Sequence, residues 1–82
     1  MDEQEFITKS KYLVFNCSAA DDISEVFVIQ SHRNQKNYIA ALATDFPNSQ
    51  YFEVRYNGAM EEFHITNYER RGTIRADKDC NI

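Results

Sequence analysis

The stretch Asn34-Gln35-Lys36-Asn37-Tyr38-Ile39-Ala40-Ala41-Leu42-Ala43-Thr44-Asp45-Phe46 decides how this chain is read. Tyr38, Ile39, Leu42, Ala43 and Phe46 recur at intervals of three and four, the spacing that gathers side chains on one face of an α-helix. Ala40 and Ala41 add high intrinsic helix propensity. Ser31 or Asn34 can cap the start by accepting a backbone amide hydrogen bond, and Pro47 has no N–H with which to extend the ladder, so the end falls near Phe46. A helix over 34–46 is therefore the expected centrepiece, and the segments around it are read as the sheet it packs on.

Upstream, Lys11 to Cys17 centres on Tyr12-Leu13-Val14-Phe15, residues that suit a pleated surface, and reads as a first strand. Ser18 to Ser24 is small and acidic, a loop in which Asp21 and Asp22 can bond nearby amides. Glu25 to Ser31 reads as a second strand. Its Val26-Phe27-Val28-Ile29 is apolar on both parities, which places both early strands in covered positions.

Downstream, Tyr51 to Tyr56 alternates, with Phe52, Val54 and Tyr56 on one side and Tyr51, Glu53 and Arg55 on the other. Asn57-Gly58 supplies a tight two-residue hairpin turn. The return strand then runs from Ala59 to Tyr68, setting Tyr56 against Ala59, Val54 against Glu61 and Phe52 against Phe63. Glu53, Arg55, Glu62 and His64 share the outer face, and Glu61 falls at the sheet margin. Glu69-Arg70-Arg71-Gly72 turns the chain, and Thr73-Ile74-Arg75 offers a short fifth strand.

The expectation is an α+β fold: an antiparallel sheet of four to five strands with one main helix on one face, in the order β-β-α-β-β with an optional terminal strand. No repeat or linker divides residues 1–82, which read as a single domain. Residues 1–10 form a short helix or an arm, with carboxylates near a positive helix end, and residues 77–82 a polar tail.

Composition narrows the function. A domain of 82 residues buries only about 60% of the surface its unfolded chain exposes, so its core must be efficient. Thirteen acidic against nine basic residues give a net charge of −4, which opposes diffuse binding to nucleic acid and anionic membranes. The surplus lies in residues 1–30, where Asp2, Glu3, Glu5, Asp21, Asp22 and Glu25 face only Lys9 and Lys11. No apolar run approaches a membrane span and no basic signal start is seen, so the expected location is the cytoplasm. In that compartment Cys17 and Cys80 are read as free thiols and the sequon Asn16-Cys17-Ser18 as chance.

Catalytic chemistry finds little to work with. His32, His64, Cys17 and Cys80 lie singly, without metal-ligand spacing, so no metal is expected. Nothing orients a nucleophile and base such as Cys17 and His64, and adjacent carboxylates such as Glu61 and Glu62 point apart on a strand. With only Gly58 and Gly72 there is no phosphate-cradling loop, so no nucleotide cofactor is expected. Arg70, Arg71, Arg75 and Lys78 form the one basic cluster, diluted by Glu69, Asp77 and Asp79.

What remains is recognition. Tyr38, Tyr51, Tyr56 and Tyr68 cannot all fit so small a core, and an exposed Tyr offers contact area with a polar tip. Carboxylates on a rigid sheet can imitate phosphates in a basic groove. The expected partner-binding residues are Asp21, Asp22, Glu25, Tyr51, Tyr56, Glu61, Glu62 and Tyr68. The expected function is non-catalytic binding of a larger protein or ribonucleoprotein, with a self-associating accessory domain, a homodimer, as the alternative.

The succession Phe27-Val28-Ile29-Gln30-Ser31, Tyr38-Ile39-Ala40-Ala41-Leu42-Ala43 with Asp45-Phe46-Pro47, and Phe52-Glu53-Val54-Arg55 resembles the cores of small phage-encoded inhibitors, anti-CRISPR proteins among them. The resemblance covers residues 25–56 and implies a stoichiometric inhibitor of a bacterial defence or nucleic-acid-processing complex. It carries over no functional residue.

Overall fold

The computed structural model describes residues 1–18, 20–45, 49–69 and 72–82. Helix α1 (Glu3–Cys17) leads through one 3-10 turn (Ile23–Glu25) into five strands: β1 (Val26–Asn34), β2 (Asn37–Thr44), β3 (Tyr51–Asn57), β4 (Glu62–Asn67) and β5 (Gly72–Asp77). Each strand pairs antiparallel with the next, giving the spatial order β1-β2-β3-β4-β5. The helix packs on one face, mainly across β1 and β2. The expected α+β class and five-stranded antiparallel sheet are therefore present, with the helix first in the chain rather than between the hairpins.

Residues expected as strand form the helix. Asp2 caps it, its carboxylate accepting from the Glu5 amide at 2.7 Å, and Glu3 and Glu5 place negative charge at the positive end of the dipole. Phe6, Ser10, Leu13 and Val14 are fully buried at helical spacing. The run Tyr12-Leu13-Val14-Phe15 supplies two core residues, while Tyr12 points to solvent. Its β-propensity yields to the tertiary benefit of burying one helical stripe.

The reverse exchange occurs over 34–46, where Asn37–Thr44 is a strand rather than a helix. Tyr38, Ala40 and Leu42 alternate inward, with Ile39, Ala41 and Ala43 outward. Tyr38 and Leu42 satisfy both periods, because residues four apart share a face in a helix and in a strand alike. Flanked by β1 and β3, this strand is paired on both sides, and its hydrogen-bond ladders outweigh alanine's helix preference. The expected helix end at Phe46 and Pro47 lies outside the described residues.

The β3–β4 hairpin is wider than a two-residue turn. Asn57 pairs with Glu62 and Tyr56 with Phe63, leaving residues 58–61 as a four-residue loop. The Asn57 side-chain oxygen accepts from the Ala59 and Met60 amides, and Glu61, not Gly58, takes the positive φ. The register consequently differs from the expected one: Phe52 lies opposite Asn67 and Val54 opposite Ile65. At the end of the chain the Asp77 carboxylate accepts from the Asp79 and Asn81 amides, so the polar tail is held in a turn.

The core lies between α1 and the inner sheet face. Phe6, Leu13, Leu42, Phe52, Val54, Phe63 and Ile65 are all buried there. Burying each such side chain contributes about 1.5–3 kcal/mol. Tyr38 and Tyr56 close the same cluster at the helix's N-terminal end, and the Tyr38 hydroxyl donates to the Met1 carbonyl at 2.8 Å.

Candidate binding surface

With the helix on one face, the other face of the sheet carries no covering layer among the described residues. Register and alternation fix what it displays. At one end Phe27, Ala43 and Tyr51 stand side by side across β1, β2 and β3. Phe27 is 44% and Tyr51 54% exposed, flanking an Ala43 that is only 3% exposed. The Tyr68 amide donates to the Tyr51 carbonyl, which brings a third exposed aromatic, at 53%, to the same end.

At the centre Glu53 organises its neighbours. Its carboxylate accepts from Arg55 Nε at 2.6 Å and from the Tyr68 hydroxyl at 2.9 Å. That second bond raises the pKa of the Tyr68 phenol, because the neutral hydroxyl is the donor. The tyrosine is thereby oriented across the face rather than free to rotate.

Towards the opposite end, His32, Ile39, Arg55, His64 and Arg75 make one row across all five strands. A groove of about 410 Å³ lies there, lined by His32, Ile39, Arg55 and His64 together with Asn34, Asn37 and Asn57. Glu62 Oε1 sits 3.2 Å from His64 Nε2, too poorly aligned for a hydrogen bond, and 3.7 Å from Arg75 Nε. Glu53, Glu62 and Asp77 stand against Arg55 and Arg75 on this face, so charges of both signs are interspersed across it.

The eight residues singled out from sequence do not converge. Tyr51, Tyr68 and Glu62 share the open face, with Tyr51 and Glu62 near opposite ends of β3 and β4, about 20 Å apart by strand rise. Tyr56 is a correction: at 7% exposure it belongs to the core, 4.7 Å from the Phe63 ring, where burial raises its pKa. Glu61 lies in the hairpin loop, 3.5 Å from Lys78 Nζ.

Asp21, Asp22 and Glu25 build the turn that enters β1. The Asp22 carboxylate accepts from the Ser24 amide at 2.8 Å, which lowers its pKa, and Glu25 accepts from the Asp21 amide at 2.8 Å. Asp22 and Glu25 thus form a capping box, to which Asp21 adds only its backbone amide. They border the aromatic end of the open face, since the Asp45 amide beside β2 donates to the Glu25 carbonyl.

Phe27 was missed as a surface residue. Its apolar neighbours on both parities read as a covered strand, yet β1 is an edge, and only pairing order distinguishes the two. Glu53, Arg55, Glu62 and His64 do share the outer face, as the alternation of Tyr51–Tyr56 indicates. Of the basic cluster, Arg75 lies in β5, while Arg70 and Arg71 lie outside the described residues.

Cys17 and Cys80 are separate, half-buried thiols whose pKa values burial pushes up. Cys17 lines a cavity of about 170 Å³ with Phe52, Ile65 and Ile74, whereas Cys80 lies near Lys9. Among the described residues no three His, Cys, Asp or Glu side chains gather as metal ligands, and no helix is long and apolar enough to cross a membrane.

In comparison with known proteins, residues 4–76 match the model of DUF6275, a family of unknown function. No curated protein and no solved structure matches the chain.

Proposed function

Because this chain belongs to the DUF6275 family, whose function is unknown, its surface must supply the reading, and we propose that it is a non-catalytic domain that binds a larger protein through the open face of its sheet. The observation that carries this is the exposed aromatics Phe27 and Tyr51, set on either side of the buried Ala43, with Tyr68 beside them. Rigid aromatics around a small residue form the kind of anchor that dominates protein interfaces, because a Tyr loses little conformational entropy for a large contact area. The Glu53–Tyr68 bond supports the reading by holding one of those rings in place.

Seated this way, the domain acts by covering a partner's surface, which is how a stoichiometric inhibitor works. The mixed charges of the groove end then serve orientation, and the capping acids beside β1 add a negative rim. The core position of Tyr56 removes it from the contact.

The test compares affinity capture from the native host by the unaltered chain and by a Phe27→Ala/Tyr51→Ala variant. A single partner retained near one-to-one by the former and lost by the latter, with the variant's circular dichroism unchanged, is the expected result. Equal recovery by both proteins, or no stoichiometric partner for either, overturns the proposal.

A further inference from the structure

The two edges of the sheet are built differently. Edge β5 is six residues long and carries Arg75 and Asp77. Edge β1 runs for nine residues, and from Val26 to His32 it bears no Asp, Glu, Lys, Arg or Pro. Exposed edges normally carry a lysine, an inward charge or a proline, since unpaired amides and carbonyls invite another strand. Among the described residues no hydrogen bond outside the β1–β2 ladder engages the backbone of residues 27–34. Phe27 and Ile29, at 44% and 52% exposure, stand on this open edge.

Two devices are present: Arg33, near the far end of the strand, lies over the Tyr38 ring on the helix side, and a bulge interrupts the uncharged stretch. Val28 pairs with Leu42 and Gln30 with Ala41, so Ile29 is an extra residue. A bulge increases local twist, which mismatches an ordinary extended peptide but not a strand carrying the same bulge. We propose that β1 pairs antiparallel with β1 of a second copy of this chain, joining two five-stranded sheets into one.

Charge favours this occupant and this direction. The chain entering β1 is acidic, with Asp21, Asp22 and Glu25, and the chain leaving it is basic, with His32, Arg33 and Lys36. A two-fold axis near Ile29 sets the acidic end of each copy beside the basic end of the other. Parallel pairing would place like charges together, at a cost. The arrangement also puts both open faces on the same side of the joined sheet, so it extends the surface proposed above without depending on it.

Sedimentation equilibrium over a wide concentration range tests the pairing. The unaltered chain is expected to shift from the mass of one 9.6 kDa chain to that of two, and added salt is expected to move that shift to higher concentration. Ile29→Lys places two like charges at the centre of the contact and is expected to leave a folded monomer, while Tyr68→Ala dimerises as before. Amide exchange gives a readout that needs no variant: protection of residues 26–34 should rise with concentration. A monomer throughout, or a dimer that survives Ile29→Lys with unchanged exchange in β1, overturns the proposal. Either result leaves the capture experiment on Phe27 and Tyr51 standing, so the two readings fail separately.

Discussion

Phe6 of α1 stacks on Tyr38 of β2 with ring centroids 5.0 Å apart, and the same ring lies 6.2 Å from Phe63 of β4 and nearly parallel to it. One helical side chain therefore ties together two strands that do not pair with each other. Phe6→Ala is expected to cost about 3–5 kcal/mol, the range for removing a buried aromatic. Small domains hold only about 5–15 kcal/mol in total, so the variant should be barely folded. Urea unfolding followed by circular dichroism measures it, and a loss below about 1 kcal/mol would show that the ring is not the link described.

Gly58 is constrained by its neighbour across the sheet end. A Cβ placed there would come within 2.3 Å of the Lys36 carbonyl oxygen and 2.5 Å of Lys36 Cβ. The Gly58 amide also donates to the Asn37 side chain at 3.0 Å. Gly58→Ala must push the β1–β2 turn away from the β3–β4 loop and is expected to cost about 1–3 kcal/mol. At Gly72 nothing described lies within 4 Å, and Gly72→Ala should change stability little by thermal melting.

The carboxyl pKa values of Asp22 and Asp77 are held below the usual 3.8, Asp22 chiefly by the Ser24 amide and Asp77 chiefly by the Asn81 amide. A depressed carboxyl binds fewer protons in the folded state than in the unfolded one. Stability is then complete above pH 3.8 and falls as the pH drops through the folded values. The midpoint of urea unfolding should decline across that acidic window. Asp22→Asn should flatten the decline, and an unchanged profile would remove Asp22 as a contributor.

Both thiols have raised pKa values because burial disfavours the thiolate. Thiolates are the reactive form, so at neutral pH a colourimetric disulfide reagent should modify Cys17 and Cys80 slowly in the native protein and rapidly in urea. An acid with a raised folded pKa also withdraws stability as pH rises past its unfolded value. Rapid stoichiometric labelling of the native chain would show the thiols to be more accessible than the packing implies.

Composition and local pattern were sufficient for the α+β class, with a wet-faced strand at Tyr51–Tyr56 whose inward and outward residues are as its alternation indicates. They were also sufficient for the strand at 25–31 and for a turn at Asn57. The exchange of helix and strand between residues 11–17 and 34–46 had a signal in each case that a competing pattern masked. The Asp2-Glu3-Gln4-Glu5 start and the stripe of Phe6, Ser10, Leu13 and Val14 mark α1, whereas Tyr12-Leu13-Val14-Phe15 imitates a strand.

Only the tertiary structure decided that Tyr38–Ala43 lies between β1 and β3, because residues apolar on both parities satisfy a helix and a central strand equally. Pairing partners resolve that ambiguity, and they are distant in sequence. The same fact separates Tyr56 in the core from Tyr51 and Tyr68 at the surface, and it makes β1 an edge. A side chain's exposure depends on which strands stand beside it and where the helix lies, and neither is a property of the residue's own neighbours along the chain.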